Sequence, residues 1–266
     1  MPELPEVETI ARNLRPILSG QCIRAVQVLW PGTIAEPSVQ SFEQRLPGQT
    51  ILEVGRRGKY LMLRLSRDLL LIHLRMSGDL QWRQHGASPQ KHDRVLFIPD
   101  AAEVILAFHD PRKFGRVWLV QDPEKVLGGL GPEPLDAQFT SQALEERLRG
   151  RDRRLKPLLL DQTFLAGLGN IYADEALHRA GLHPLRVASE LTGEEVSRLW
   201  QAIRQVLLEG IQRNGASIDW VYRGGQFQNY FQVYGRAGQP CYRCGQPIER
   251  IRLAQRSSYF CRGCQR

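Results

Sequence analysis

The chain has 266 residues, 42% hydrophobic and 24% charged, a globular composition that excludes intrinsic disorder and allows one large domain or two to three small ones. No apolar run approaches the roughly 18 residues of a membrane span, and the amino terminus lacks the basic and apolar regions of a secretory signal, so a cytoplasmic protein with no membrane partner is expected. The net charge of +8 is uneven: +3 over residues 1–130, −1 over 131–235 and +6 over the last 31 residues, and a basic tail on a mildly basic body points to a polyanion such as nucleic acid.

The first predicted element follows "MPELPEVE". Val7, Ile10, Ala11, Leu14 and Leu18 recur at helical spacing. Pro5 suits the first helical position, and Glu6 and Glu8 suit the positive end of the helix dipole. Pro2 and Glu3 are left without a structural reason. Seven short apolar stretches follow, "RAVQVLW", "TILEV", "KYLMLRL", "LLLIHL", "RVLFI", "EVILAFHD" and "RVWLV". Several alternate, and their spacing predicts an antiparallel sandwich or barrel. Gly and Pro at 127–135 mark a domain boundary. Beyond it the period is helical, in "SQALEERL", "RLKPLLLDQ", "NIYADEALHRA" and a long helix that Thr192 and Glu195 open at capping-box spacing. The expected division is 1–130, 131–235 and 236–266.

Cys241, Cys244, Cys261 and Cys264 form C-x2-C-x16-C-x2-C, the spacing of a four-cysteine zinc site. A closed set of four thiolates leaves no open position, so one structural Zn2+ is expected rather than two disulfides. Cys22 has no partner and is expected in the core. A tail of about 30 residues cannot fold on buried area alone, so the metal supplies its folding energy.

Two basic stretches stand out. "HDPRKFGR" at 109–116 is either a solvated hairpin turn or a loop that offers Phe114 and a cationic neighbour to a base stack. "RLRGRDRRLK" at 147–156 reads as a solvated face. Asn170 reads as a helix N-cap, and a helix N-terminus also suits a phosphate. Lys59 and His92 say little alone. Pro2 is more telling. With Met1 removed, the terminus is a secondary amine whose pKa is about 7.7–8.0, against about 10.4 for lysine. Roughly a tenth of it is unprotonated at pH 7. Attack of such an amine on a sugar C1′ gives a cationic iminium that acidifies the C2′ hydrogen, and Glu3 stands beside it as a proton donor.

Together "PELPEVE", "GKY", "HLRMSG", "HDPRKFGR", "LGPEPL", "GLGNIYADEAL", "VYGR" and the cysteine quartet with "QR" before its second half resemble formamidopyrimidine-DNA glycosylase, in the family's order from residue 2 to 265. The related endonuclease VIII enzymes have glycine where Leu4 stands. The resemblance implies an α+β protein of two domains. The first is an antiparallel β-sandwich flanked by helices, and the second is helical, with a helix–two-turns–helix element and a four-cysteine zinc finger. It implies a monomer that clamps damaged double-stranded DNA, flips out an oxidised purine, cleaves its glycosidic bond and nicks the strand by β,δ-elimination. Pro2 corresponds to the Schiff-base nucleophile, Glu3 to the acid, Glu6 to a second carboxylate, Lys59 to a further acid and Arg256 to the phosphate grip of the zinc hairpin. Met76, Arg112 and Phe114 match the wedge that fills the emptied stack. His92, Arg151 and Asn170 match DNA-contacting positions, and a lesion-capping loop is implied near 216–231. Two departures are visible: Arg75 replaces the family's usual glycine and changes how Met76 is presented, and the segment 217–231 is shorter than usual. The competing readings are an endonuclease VIII-like enzyme for oxidised pyrimidines and a non-catalytic zinc-ribbon DNA-binding protein.

Overall fold

In the computed structural model, which describes residues 1–100, 104–217 and 224–266, the amino-terminal stripe becomes helix α1, Leu4–Leu18. Its five apolar residues enter the core, and the helix lies over the strands Gln49–Arg57 and Tyr60–Leu65. Leu4, not Pro5, takes the first helical position. Proline is equally tolerated one residue later, because none of the first four helical N–H groups has a partner within the helix.

The strands are β1 (Cys22–Val28), β2 (Ile34–Glu36), β3 (Gln49–Arg57), β4 (Tyr60–Leu65), β5 (Leu69–His73), β6 (Asp79–Gln84), β7 (Asp93–Pro99), β8 (Val104–His109) and β9 (Arg116–Val120), with helix α2 (Val39–Arg45) before β3. Hydrogen bonding links them in the order β2-β9-β5-β4-β3-β1-β7-β8-β6. Only two residue pairs join β1 to β3. The ribbon folds at that narrow seam, so Leu61, Leu63 and Ile72 from one half share a core with Val95, Phe97, Leu106 and Phe108 from the other. This is a sandwich with one departure from antiparallel pairing, since β2 runs parallel to β9. The sequence left α2, β2 and β6 unread. Only Phe42 of α2 is buried, and β6, "DLQWRQ", is a half-exposed edge strand with no clean alternation. Cys22 is half-buried at the start of β1, outside the core.

The chain divides into two compact units, Met1–Gly128 with Ser217–Gly224, and Gly129–Ala216 with Gly225–Arg266. After the short α3 (Glu124–Leu127), the second unit contains α4 (Ser141–Leu148), α5 (Leu155–Leu159), α6 (Asn170–Ala180), α7 (Gly193–Gln212) and the hairpin β10 (Glu249–Leu253) and β11 (Arg256–Phe260). Thr192 and Glu195 form the expected capping box of α7. α6 packs on α7 and on β11. Residues 218–223 of the expected lesion-capping segment lie outside the described residues. Its base is closed by backbone bonds from Gln226 to Arg213 and from Phe227 to Gly215. No helix among the described residues is long and apolar enough to cross a membrane.

Candidate active site and nucleic-acid interface

Glu3 and Glu6, which follow the buried Pro2, are each 2% exposed. The start of α1 fixes both. Glu3 is the N-cap, the Glu6 carboxylate accepts the Glu3 backbone N–H at 2.7 Å, and the Glu3 carboxylate takes the Glu6 N–H in return. This capping box supplies the structural reason for Glu3 that helix periodicity did not. It also leaves two buried carboxylates within four residues of Pro2.

Lys59 is buried in the two-residue turn between β3 and β4, behind Gly58, whose φ is 57°. The next rung pairs Tyr60 with His73, their rings edge to face at 4.6 Å. Burial, followed by the Arg75 and Lys59 charges, pushes the His73 imidazole down to about 3. The ring is neutral at pH 7, and its Nδ1 accepts the Arg75 N–H at 3.0 Å, so its proton sits on Nε2. Arg75 itself has φ 54°. Glycine takes that left-handed conformation freely, whereas a side chain there is strained.

The three wedge candidates come from two neighbouring loops, at 74–78 and 110–115. Met76 and Phe114 are 45% and 47% exposed, and the Arg112 guanidinium lies 4.9 Å from the Phe114 ring centre. Asp110 ties the loops together. Its carboxylate is fully buried and accepts the Ser77 hydroxyl, the Gly115 N–H at 2.7 Å and the Arg112 N–H at 3.2 Å. A side chain at Gly115 would run into the Phe108 ring, so that close approach requires glycine. His92 is half-buried, 5.6 Å edge to face from His109, whose Nδ1 lies 3.0 Å from Asp93.

In the second unit Asn170 is the first residue of α6, and Gly169 is the N-cap. The expected cap is therefore corrected. The Asn170 amide instead donates to the Ser257 carbonyl of β11 at 3.1 Å, and its Oδ1 is buried without a hydrogen-bond partner among the described residues. Lys156 Nζ reaches the same carbonyl at 3.0 Å and pairs with Asp174 at 2.6 Å, both side chains being buried. Burial pushes Asp174 up to about 7 while the Lys156 ammonium opposes it. The run at 147–156 is thus only partly a solvated face. Arg147 donates to the carbonyls of Thr163 and Phe164 and Arg153 pairs with Asp161, whereas Arg149, Arg151 and Arg154 are exposed. Glu175 accepts the N–H groups of Gln232, Val233 and Tyr234, which anchors the "VYGR" stretch.

The hairpin turns through Ala254 and Gln255, both at positive φ, a tight turn whose twist suits the two strands. Arg256 follows, exposed. At the other end Cys241, Cys244, Cys261 and Cys264 place their sulfurs within 4.8 Å of one another, with Cys241 to Cys264 at 3.8 Å and Cys244 to Cys261 at 3.4 Å. Zinc–sulfur bonds of about 2.3 Å in a tetrahedron separate the sulfurs by about 3.8 Å. The four thiols fit one structural zinc.

Sequence reasoning missed Asp110, Ser77, Asp174, Glu175 and His178. The adjacent acids inside the apolar helix "NIYADEALHRA" were a usable signal, because buried carboxylates must be paired. Asp110 was hidden by reading Asp-Pro as ordinary turn chemistry.

The fold and the cysteine site define a class, the helix–two-turns–helix proteins that carry a zinc hairpin. Three family models match in sequence: formamidopyrimidine-DNA glycosylase N-terminal domain over 1–117, formamidopyrimidine-DNA glycosylase H2TH domain over 130–221, and the zinc finger found in FPG and IleRS over 238–266. Formamidopyrimidine-DNA glycosylase of Pelotomaculum thermopropionicum is 47% identical over 276 residues, which cover 100% of this chain and 99% of that one. That of Moorella thermoacetica is 48% identical over 95% of each. Among solved structures, Lactococcus lactis Fpg bound to N7-benzyl-Fapy-dG DNA has a TM-score of 0.93 at 37% identity, covering all of both chains, and the same protein bound to abasic-site DNA scores 0.93 at 36% over 99% of each. The chain belongs to the formamidopyrimidine-DNA glycosylase family.

Proposed function

We propose that this chain is a bifunctional DNA glycosylase and abasic-site lyase of base excision repair. It acts as a cytoplasmic monomer on oxidised purines, such as 8-oxoguanine and formamidopyrimidines, in duplex DNA. The observation that carries the catalytic reading is the pair of buried carboxylates, Glu3 and Glu6, that follow the buried Pro2, the residue that becomes terminal when Met1 is removed. The Pro2 nitrogen attacks C1′, the bond from C1′ to the base breaks, and the base leaves with its electron pair and is protonated. Glu3 supplies a proton as the sugar opens, and Glu6 holds the Glu3 backbone. The resulting iminium withdraws electrons, so C2′ loses a proton and the 3′-phosphate departs. A second elimination, with Lys59 as a further acid, takes a proton from C4′ and releases the 5′-phosphate from C5′. Residues 1–130 carry this chemistry.

Residues 131–235 and 236–266 grip the DNA through Arg151, Asn170 and Arg256, with His92 contributing from the first domain. Met76, Arg112 and Phe114 fill the gap left by the flipped nucleotide, and the segment near 216–231 caps the lesion. One Lactococcus lactis Fpg complex holds an oxidised pyrimidine, so a panel of single-lesion duplexes ranks the two lesion classes. The deciding experiment is borohydride trapping on abasic-site DNA. A covalent adduct at the terminus, lost when Met1 is retained or an uncleaved tag precedes Pro2, is the expected result. Full activity with a blocked terminus overturns the reading.

A further inference from the structure

Asn170, Asp174 and His178 stand at i, i+4 and i+8 on α6 and so share one face of the helix. All three meet the zinc hairpin. Asn170 donates to the Ser257 carbonyl at 3.1 Å, Asp174 accepts the Tyr259 N–H at 3.0 Å, and His178 Nε2 lies 3.6 Å from Cys241 Sγ. The first two contacts hold β11 by its backbone. The third reaches a metal ligand.

We propose that His178 is an outer-sphere partner of the zinc site, donating its Nε2–H to the Cys241 thiolate and so making metal retention depend on α6. The ring is fully buried, and Nδ1 has no hydrogen-bond partner among the described residues. A proton on Nδ1 would strand a buried donor and turn the Nε2 lone pair against a thiolate. A proton on Nε2 makes a hydrogen bond to an anion and leaves only an unfilled acceptor, the cheaper arrangement. The separation of 3.6 Å suits an N–H···S bond, sulfur being larger than oxygen.

Cys241 Sγ also accepts the Arg243 N–H at 3.4 Å, and the Arg243 guanidinium returns to the His178 carbonyl at 3.2 Å. The knuckle and the helix are therefore bonded in both directions. Two N–H donors on one sulfur spread the charge of its thiolate and fix where it points. Outer-sphere partners of this kind are worth about 10–100-fold in metal affinity. His178 is thus a positioning residue for the metal site, and the assignment holds whatever lesion the enzyme prefers.

The test uses the zinc-loaded full chain and reads metal release to excess chelator with a colorimetric indicator. His178→Phe keeps the ring volume and removes the donor, and it should release zinc at least about tenfold faster. His178→Gln places an amide N–H where Nε2 stands and should restore release to within about threefold of the unaltered protein. Equal release from the Phe variant and the unaltered protein overturns the proposal. So does a Gln variant as fast as the Phe variant, which would make ring packing the cause. A second measurement needs no variant. In protein loaded with 113Cd, the Hε2 proton of His178 should show a scalar coupling to the metal through Sγ. A ring protonated only at Nδ1 overturns the proposal.

Discussion

Replacing Asp110 with asparagine should loosen at once both loops that carry the proposed wedge. The carboxylate is fully buried and serves three donors, the Ser77 hydroxyl, the Gly115 N–H at 2.7 Å and the Arg112 N–H at 3.2 Å. Asparagine offers one oxygen and one NH2. The Ser77 hydroxyl can turn round and accept from the new amide, but a backbone N–H cannot reverse. If the oxygen stays with Gly115, the NH2 faces the Arg112 N–H, which keeps only its weaker contact to Ser77 Oγ at 3.3 Å. The loss is one hydrogen bond to a charged acceptor, about 1.5–3 kcal/mol, partly offset because a neutral amide is cheaper to bury. A net loss of about 1–2 kcal/mol should appear in denaturant unfolding. Carried into wedge insertion, the same energy should slow excision opposite cytosine by roughly 5- to 30-fold, while trapping on abasic DNA, which in the proposed mechanism runs through the Pro2 amine, should fall much less. Single-turnover excision beside trapping measures both. A folded Asp110→Asn enzyme that excises at the wild-type rate would refute the argument that Asp110 sets the wedge.

The remaining predictions concern the base opposite the lesion, pH and the zinc hairpin. Arg112→Ala should narrow the ratio of excision opposite cytosine to that opposite adenine, because cytosine presents two adjacent acceptors, O2 and N3, to a forked guanidinium and adenine only one beside a donor; single-turnover rates should show a change of roughly 5- to 150-fold. Burial holds His73 neutral down to about 3, whereas the unfolded ring gains its proton near 6.5. This contribution to stability is therefore complete above about pH 6.5 and falls as pH drops toward about 3, by up to about 1.4 kcal/mol per pH unit. His73→Asn, which keeps an acceptor for the Arg75 N–H, should flatten that slope in urea melts run from about pH 7 to about pH 4. Cys244→Ser, or stripping the metal, should unfold the hairpin and abolish DNA binding while the β-rich first unit stays folded by circular dichroism. Arg256→Ala with zinc retained should reduce the salt dependence of DNA binding by about one unit of slope, the signature of one lost phosphate contact.

The local rules wrote much of this chain. Helical spacing put Val7, Ile10, Ala11, Leu14 and Leu18 into the core, the Thr192–Glu195 box opened α7, and four cysteines in two knuckles specified a tetrahedral metal site by their spacing alone. Each of these depends on neighbours a few residues apart, or on ligand chemistry that few alternatives share. The sequence also raised the question of Glu3, and part of its answer was local, since Glu3 and Glu6 cap one another across the first turn. Tertiary structure decided what a one-dimensional pattern cannot encode. Asp110 became a hub only because the loop carrying Ser77 folds back against it, 33 residues away in sequence. Asn170 falls one residue inside α6, after an extended Gly169, and its amide is taken up by a carbonyl of β11, 87 residues on. His178 looked like one more residue in the last turn of α6 until the hairpin brought a cysteine sulfur to its ring. A hydrogen bond takes whichever partner the packed chain delivers. Where that partner is distant in sequence, the residue's role is fixed only when the chain has folded.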